Sequence, residues 1–391
     1  MAYDFDTVVD RAPTSSLKWS YRKKFCGDEE VLPLWVADMD FPSPPEVVEA
    51  IRRRAEHPIY GYPVRTDGYY DSLIAWMRRR NGWEIQRDWI CFSPGVVPAL
   101  NIAVLAYTQP GDKVVVQTPV YYPFSSAVLS NGRQLVENSL KLEGGRYVMD
   151  FEDLERKLDS RTKLLILCSP HNPVGRVWER GELERLVELC ARKGVVIVSD
   201  EIHSDLILGG RKHVCTAALS PEAARMTVTL GAPNKTFNIA GLGIANAIIP
   251  DRRLREAFMN QAANLGLGIA NVFGIVAQEA AYSKGEAWLE ELLSYLRGNY
   301  GRLVSFLAER LPSLSVLPLE GTYLAWIDCR RLGMSDAELK AFFLKEAKLW
   351  LDEGTMFGSG GSGFMRINLA CPRSLLDEAL SRLEKALAKR G

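Results

Sequence analysis

Short continuous apolar runs that alternate with helical spacing constrain this 391-residue chain more than any other feature. The runs are Lys113–Gln117 (KVVVQ), Leu164–Cys168 (LLILC), Val195–Ser199 (VVIVS), Met226–Leu230 (MTVTL) and Ile244–Ile249 (IANAII). Between them, Leu183, Leu186, Val187 and Cys190 recur at 3/4 spacing and predict a helix over 182–193, stopped by Gly194; another is expected over 98–107. Strands this short and this uniformly apolar are buried on both faces, so the pattern predicts an α/β fold with a largely parallel sheet between helices. In such sheets ligands bind beyond the carboxyl ends of the strands. Chemistry-bearing residues just past those runs are therefore the first candidates for a site.

Length argues for more than one core. Residues 46–285 are expected to form the large domain. From about residue 286 the pattern changes to a long helix over 287–311, strands over 322–327 and 364–369, and helices over 335–348 and 372–389. That reads as a smaller α+β domain. Residues 1–45 are irregular but too apolar for a free tail, and are expected to pack on that domain. Ser43 is expected to cap a helix over 45–55, and Asn81-Gly82 to stop one over 69–80.

Lys235 lies just past the fourth run, in TLGAPNKTFNIAGLG. A lysine there is poorly solvated, and desolvation disfavours its charge, so it is a candidate amine nucleophile toward an aldehyde cofactor. An arbitrary loop lysine has its head in water; the company of Lys235 argues otherwise. Asp200 ends VVIVS, where a carboxylate is costly to bury without a cation such as a protonated pyridine nitrogen, though helix capping is a common alternative. Asn172, in SPHNPVG, offers an amide donor for a phenolate oxygen, or simply a turn before proline. Gly95, Val96 and Val97 precede a helix, where free N–H groups suit a phosphate. Tyr121 could stack on a flat ring or serve only the core. Arg366, in FMRINLACP, needs an anion: a substrate carboxylate or a structural acidic partner.

Other classes fall away. Lys+Arg and Asp+Glu both number 48, so no net charge invites nucleic acid. No apolar run approaches the ~20 residues of a membrane span. Seven scattered cysteines without a CxxC pair read as thiols of a reducing compartment, and with no signal-peptide pattern a cytoplasmic protein is expected. Four histidines without HxxxH or HxH spacing give no metal set. Gly358–Gly363 matches GxGxxG literally, but a strand follows it, not a helix, so no dinucleotide site is expected.

Taken together, PLWVADMDF (33–41), IYGYP (59–63), SPGVVPALN (93–101), TPVYYPF (118–124), LCSPHNPVGRVW (167–178), SDEIHSDL (199–206), NKTFNIAGL (234–242) and FMRINLACPRS (364–374) resemble fold-type I pyridoxal phosphate (PLP) enzymes of the aminotransferase class I/II superfamily. DMDF with DEIHSD leans toward the MalY/PatB-type C–S β-lyases (cystathionine β-lyase-like). The resemblance spans nearly the whole chain.

It implies that Lys235 binds the cofactor covalently and shuttles a proton, that Asp200 pairs with the pyridine nitrogen, and that Asn172 meets the phenolate. It places Tyr121 on the ring, Gly95, Val96 and Val97 at the phosphate, and His203 beside the cofactor. Arg366 would take the substrate carboxylate, with Trp35 and Asn172 near the substrate. Tyr62 would reach the phosphate of a neighbouring subunit, which implies a homodimer. Ala232 stands where many relatives have a serine, and Gly243 where transaminases often have an arginine. Phosphate binding is thus expected to lean on backbone N–H groups, Tyr62, and Thr236 or Asn234. The implied reaction is β-elimination from L-cystathionine or a related S-substituted L-cysteine. An aminotransferase is the alternative, and a PLP-binding regulator a more distant one.

Overall fold

The computed structural model describes residues 2–390. Seven strands form the large sheet: β1 (Ile90–Ser93), β2 (Lys113–Val116), β3 (Gln134–Glu137), β4 (Thr162–Cys168), β5 (Val196–Asp200), β6 (Thr227–Gly231) and β7 (Ala245–Ile248), in spatial order β1-β7-β6-β5-β4-β2-β3. The inner run from β6 through β5 and β4 to β2 and β3 is parallel throughout. In its central strands Leu164, Leu165, Ile197, Val198, Val228 and Leu230 are fully buried, as continuous apolar strands require, while the edge strand β3 is only partly covered.

The strand from the Ile244 run departs from the parallel expectation. β7 runs antiparallel to both β6 and β1. The link before it holds only two short helical turns, Pro233–Thr236 and Ala240–Leu242. These stay at the carboxyl end of β6, so the chain has no crossover helix to carry it back and must return antiparallel. The second reversal, at β1, points Ser93–Gly95 toward the same end as Asp200.

A second, four-stranded antiparallel sheet is built from β8 (Ser315–Val316), β9 (Leu324–Asp328), β10 (Asp352–Glu353) and β11 (Phe364–Asn368), in order β8-β9-β11-β10. The long helix Glu286–Arg310 precedes it and Arg373–Ala388 follows it. The helix expected over 335–348 divides into Asp336–Ala341 and a wider π turn, Phe342–Glu346, with Phe342 and Phe343 both buried.

Residues 2–41 are held at several points. Phe5 packs edge-on against Phe41 and Trp288, at centroid distances of 5.1 and 5.6 Å. Leu32–Pro33 pairs in parallel with Leu349–Trp350. Ser43 does not cap the following helix, which starts at Pro45 behind an extended Pro44. Its hydroxyl donates instead to the Asn238 carbonyl at 3.1 Å.

Candidate active site

At the carboxyl ends of the parallel strands lies a cavity of about 190 Å³. Gly95, Val96, Val97, Tyr121, Asn172, Asp200, His203 and Lys235 line it together, with Ala37 closing one side. The sequence separates these residues by up to 140 positions; the sheet gathers them because each follows a strand that ends at the same edge.

Lys235 sits on the single helical turn Pro233–Thr236, entered from β6 through an extended Ala232. Its Nζ donates to the Ala37 carbonyl at 2.6 Å. Burial pulls its pKa down to about 8; Arg366 pushes in the same direction, while Asp38 and Asp200 oppose. A share of the amine is therefore free base near neutrality. Asp200, at the end of β5, accepts from the Ile202 N–H at 3.1 Å. Burial raises its pKa to about 7 against the pull of that N–H and of Lys235. It is a carboxylate without a full cationic partner, and the cavity in front of it is where one would stand.

Arg366, on β11, is buried. Its Nη1 donates to Asn172 Oδ1 at 2.8 Å and its Nη2 to the Trp35 carbonyl at 3.0 Å. Nη2 also pairs with Asp352, on the neighbouring β10, and the guanidinium lies 4.9 Å from the Phe357 ring centroid. The structural acidic partner considered for Arg366 thus exists. Burial still raises the Asp352 pKa, with Arg366 opposing. Arg366 Nε is buried with no partner, so one donor remains unspent. Because Asn172 Oδ1 is committed to Arg366, its NH2 is the end available to a ligand acceptor.

Helix Val96–Tyr107 begins at the cavity wall, and Ser93 Oγ donates to the Gly95 carbonyl at 2.8 Å to fix its entry. The first N–H groups of a helix have no intrahelical partner and carry a partial positive charge. His203 is buried, with Nδ1 unpartnered. Burial lowers its pKa well below the ordinary value, with Lys235 and Arg366 adding to the effect, so it is neutral. Burial raises the Tyr121 phenol to about 12.

Two expected positions, Trp35 and Thr236, lie elsewhere, while Tyr62 was expected only at the phosphate of a neighbouring subunit. Trp35 does not line the cavity: its ring stacks on Trp350 at 4.5 Å, and only its carbonyl reaches the site, through Arg366. Tyr62 is 91% exposed and outside the cavity. Thr236 is withdrawn from any phosphate, because its buried hydroxyl donates to Asp205 Oδ2 at 2.9 Å. Asn234 does line the cavity, with Oδ1 unpartnered.

Two participants were overlooked. Asp38 stands in plain view in the VADMD string, and Asp352 has a readable signal as the carboxylate that directly follows the apolar LWL run. A buried Glu201–His213–Cys215 group also has no counterpart in the sequence spacing. There the carboxylate is already occupied by His213 Nε2 at 2.9 Å, Ser199 Oγ at 2.8 Å and the Thr216 N–H at 3.0 Å.

Comparison with known proteins agrees with this geometry. The chain is 47% identical over 386 residues to cystathionine beta-lyase PatB of Bacillus subtilis (strain 168), covering 98% of this chain and 100% of that one. It is 32% identical over 388 residues to protein MalY of Escherichia coli (strain K12), covering 98% and 99%. Among solved structures, cystalysin from Treponema denticola, which contains a pyridoxal 5'-phosphate cofactor, superposes with a TM-score of 0.97 at 39% identity over 100% of both chains. The fold is that of the fold-type I PLP-dependent transferases. The model of the aminotransferase class I and II family matches residues 29–383, and the chain belongs to that family.

Proposed function

We propose that this protein is a PLP-dependent carbon–sulfur β-lyase acting on L-cystathionine or another S-substituted L-cysteine. The observation that carries the reading is the convergence of Lys235 and Asp200 on one cavity, with Arg366 bonded to Asn172 in its wall, each in the state the chemistry asks for: a partly deprotonated amine, a buried carboxylate with no full cationic partner and a guanidinium with an unspent donor.

The residues present fit the cofactor. Asp200 lacks a cation, and a protonated pyridine nitrogen is one. The helix start at Val96 and Val97 suits its phosphate. The Asn172 NH2 suits its phenolate oxygen, and the Tyr121 ring its flat face. PLP, when bound, supplies a conjugated sink for the negative charge left at Cα. The protein does the rest. Lys235 Nζ would hold the cofactor, and its free amine would accept the α-proton. Arg366 holds the substrate carboxylate and so fixes the Cα–H bond toward Lys235. Asp200 would pair with the ring nitrogen and favour its protonated form. The thiolate leaves from Cβ. With one water, cystathionine gives one thiol, one pyruvate and one ammonia.

The finer picture is also a proposal. A homodimer is supported by an apolar exposed stretch, Ile59, Tyr60, Tyr62 and Val64 at 68, 53, 91 and 79% exposure, from which Tyr62 would complete the neighbour's phosphate site. A division at 285/286, with residues 1–45 on the smaller part, is supported by the two separate sheets. Seven free cysteines support a reducing, cytoplasmic setting. Among the described residues no helix is long and apolar enough to cross a membrane.

The decisive experiment supplies PLP-loaded protein with L-cystathionine and no keto acid. Pyruvate and free thiol should appear in equal amounts over many turnovers. Amino transfer only on adding a keto acid would sink the lyase reading. A pH profile gives a separate check. Only the free amine attacks an aldehyde, so covalent capture of PLP by apoprotein should accelerate as pH rises through about 8 and level off above it. The growth of visible absorbance after mixing reads this, and a rate constant flat from acid to base would contradict the assigned state of Lys235.

A further inference from the structure

We propose that Tyr323 is a positioning residue for the proton-transferring amine of Lys235, acting through the carbonyl of Ala37. The inference rests on the role proposed above for Lys235.

Two hydrogen bonds converge on that carbonyl: Lys235 Nζ at 2.6 Å and Tyr323 Oη at 2.9 Å. Ala37 belongs to a strap, residues 34–41, that is clamped from both sides. Asn368 Nδ2 donates to the Val36 and Asp38 carbonyls at 2.8 and 2.6 Å. Asn238 Oδ1 accepts from the Met39 N–H at 2.9 Å, and its Nδ2 donates to the Met39 and Phe41 carbonyls at 3.0 and 2.8 Å. The carbonyl is therefore a fixed point, and Tyr323 fixes its direction.

The backbone around Tyr323 is held under strain. Thr322 is buried and β-branched, yet sits at φ +70°, a conformation such residues rarely adopt. Its N–H donates to the Leu206 carbonyl at 2.7 Å, which holds it there. Strain of this kind persists where the surroundings over-determine it, and it clusters at functional sites. Tyr323 is also buried, and its ring meets His203 edge-on at 6.0 Å.

A lysine amine on its four-carbon stem has wide rotamer freedom. One N–H anchored on Ala37 O confines the amine to rotation about that bond. The lone pair of Nζ can then be held toward the substrate. In the step served, the proton passes from Cα to Nζ and the bonding pair stays with the carbon. Charged and titratable groups facing the amine are Asp38 on the strap, Asp200 and His203 at the end of β5, and Arg366 on β11. None of them anchors an N–H of Lys235 by a hydrogen bond, as Ala37 does.

Tyr323→Phe removes the hydroxyl and keeps the ring. L-Alanine has no leaving group, so exchange of its α-proton with deuterated solvent isolates the proton transfer from elimination. The variant should exchange on the order of 10-fold more slowly, with half-saturation by alanine changed less than about 2-fold and the cofactor's visible spectrum unaltered. In apoprotein, amine-reagent labelling of Lys235 followed by mass spectrometry should show its pH midpoint move upward, because the freed carbonyl accepts more strongly from the ammonium form. Wild-type exchange together with an unmoved midpoint would overturn the proposal. So would a Tyr323→Phe protein indistinguishable from wild type beside an impaired Tyr323→Leu, which would reduce Tyr323 to packing. If wild type exchanges alanine but does not cleave cystathionine, the lyase reading fails and the positioning role stands or falls on the same two readouts.

Discussion

Lys235→Ala is expected to leave a folded protein whose release of pyruvate and thiol falls by at least ~10³-fold, since one group is removed from both cofactor anchorage and proton transfer. Added amines of small size should restore a little turnover, because they can enter the space left by the side chain. Stability separates this from misfolding. The Lys235 pKa falls from 10.5 to about 8 on folding. A lysine depressed in the folded state binds fewer protons there than in the unfolded chain, so stability rises with pH across that window, and below it the full penalty applies. Removing the amine lifts a penalty of about 3 kcal/mol at neutral pH, offset by the lost packing of its stem. The apoprotein of the variant should thus melt no lower than wild-type apoprotein at pH 7, and its relative advantage should shrink as pH rises from 8 toward 10.5. A calorimetric scan at two pH values decides; a variant that unfolds below wild type at pH 7 would mean that the lysine is structural.

The second large effect is expected from Arg366→Leu. Loss of the carboxylate anchor should lower kcat/KM by roughly 10²–10³-fold, since a buried charge-assisted contact is worth a few kcal/mol. The same change strands Asp352 and takes a donor from Asn172. Removing one partner of a buried ion pair costs about 3–5 kcal/mol. The sign with pH follows from Asp352, whose pKa is already raised by burial. Without Arg366 it rises further, the folded state binds more protons, and stability falls as pH rises. Arg366→Leu should therefore lose more stability at pH 8 than at pH 5. The double change with Asp352→Leu should recover much of that stability while recovering none of the activity. If the double variant regained turnover, the guanidinium would be serving only Asp352.

Lys235, Asp200, Asn172, Tyr121 and the Gly95 turn were legible because each stands next to a continuous apolar run, and such runs in an α/β chain end at one edge of one sheet. The rule is local, and a linear chain displays it. What failed to show depends on contacts made far away. Asp352 and Arg366 are neighbours only through β10–β11 pairing. Thr236 is taken from the cavity by Asp205, which also accepts from Trp76 Nε1 at 3.1 Å. Tyr323 matters because of what its hydroxyl meets, a carbonyl 286 positions away. The antiparallel return of β7 is likewise set by the brevity of a link whose residues were read for chemistry alone. Tyr62 is the reverse case: its position was read from a motif, and a single chain offers it nothing to touch.

The clamp on the strap also bears on how the protein is made. Asn368 grips Val36 across 332 positions, so the earliest part of the site waits for the last strand. Loop-closure cost grows only logarithmically with length, so the delay is a matter of synthesis order more than energy. Until β11 emerges, the strap is held by Asn238 alone, and the Val36 and Asp38 carbonyls on either side of Ala37 lack their Asn368 donor. The two walls of the site are thus joined by residues from opposite ends of the chain, and its final shape is set only when the C-terminal part has folded.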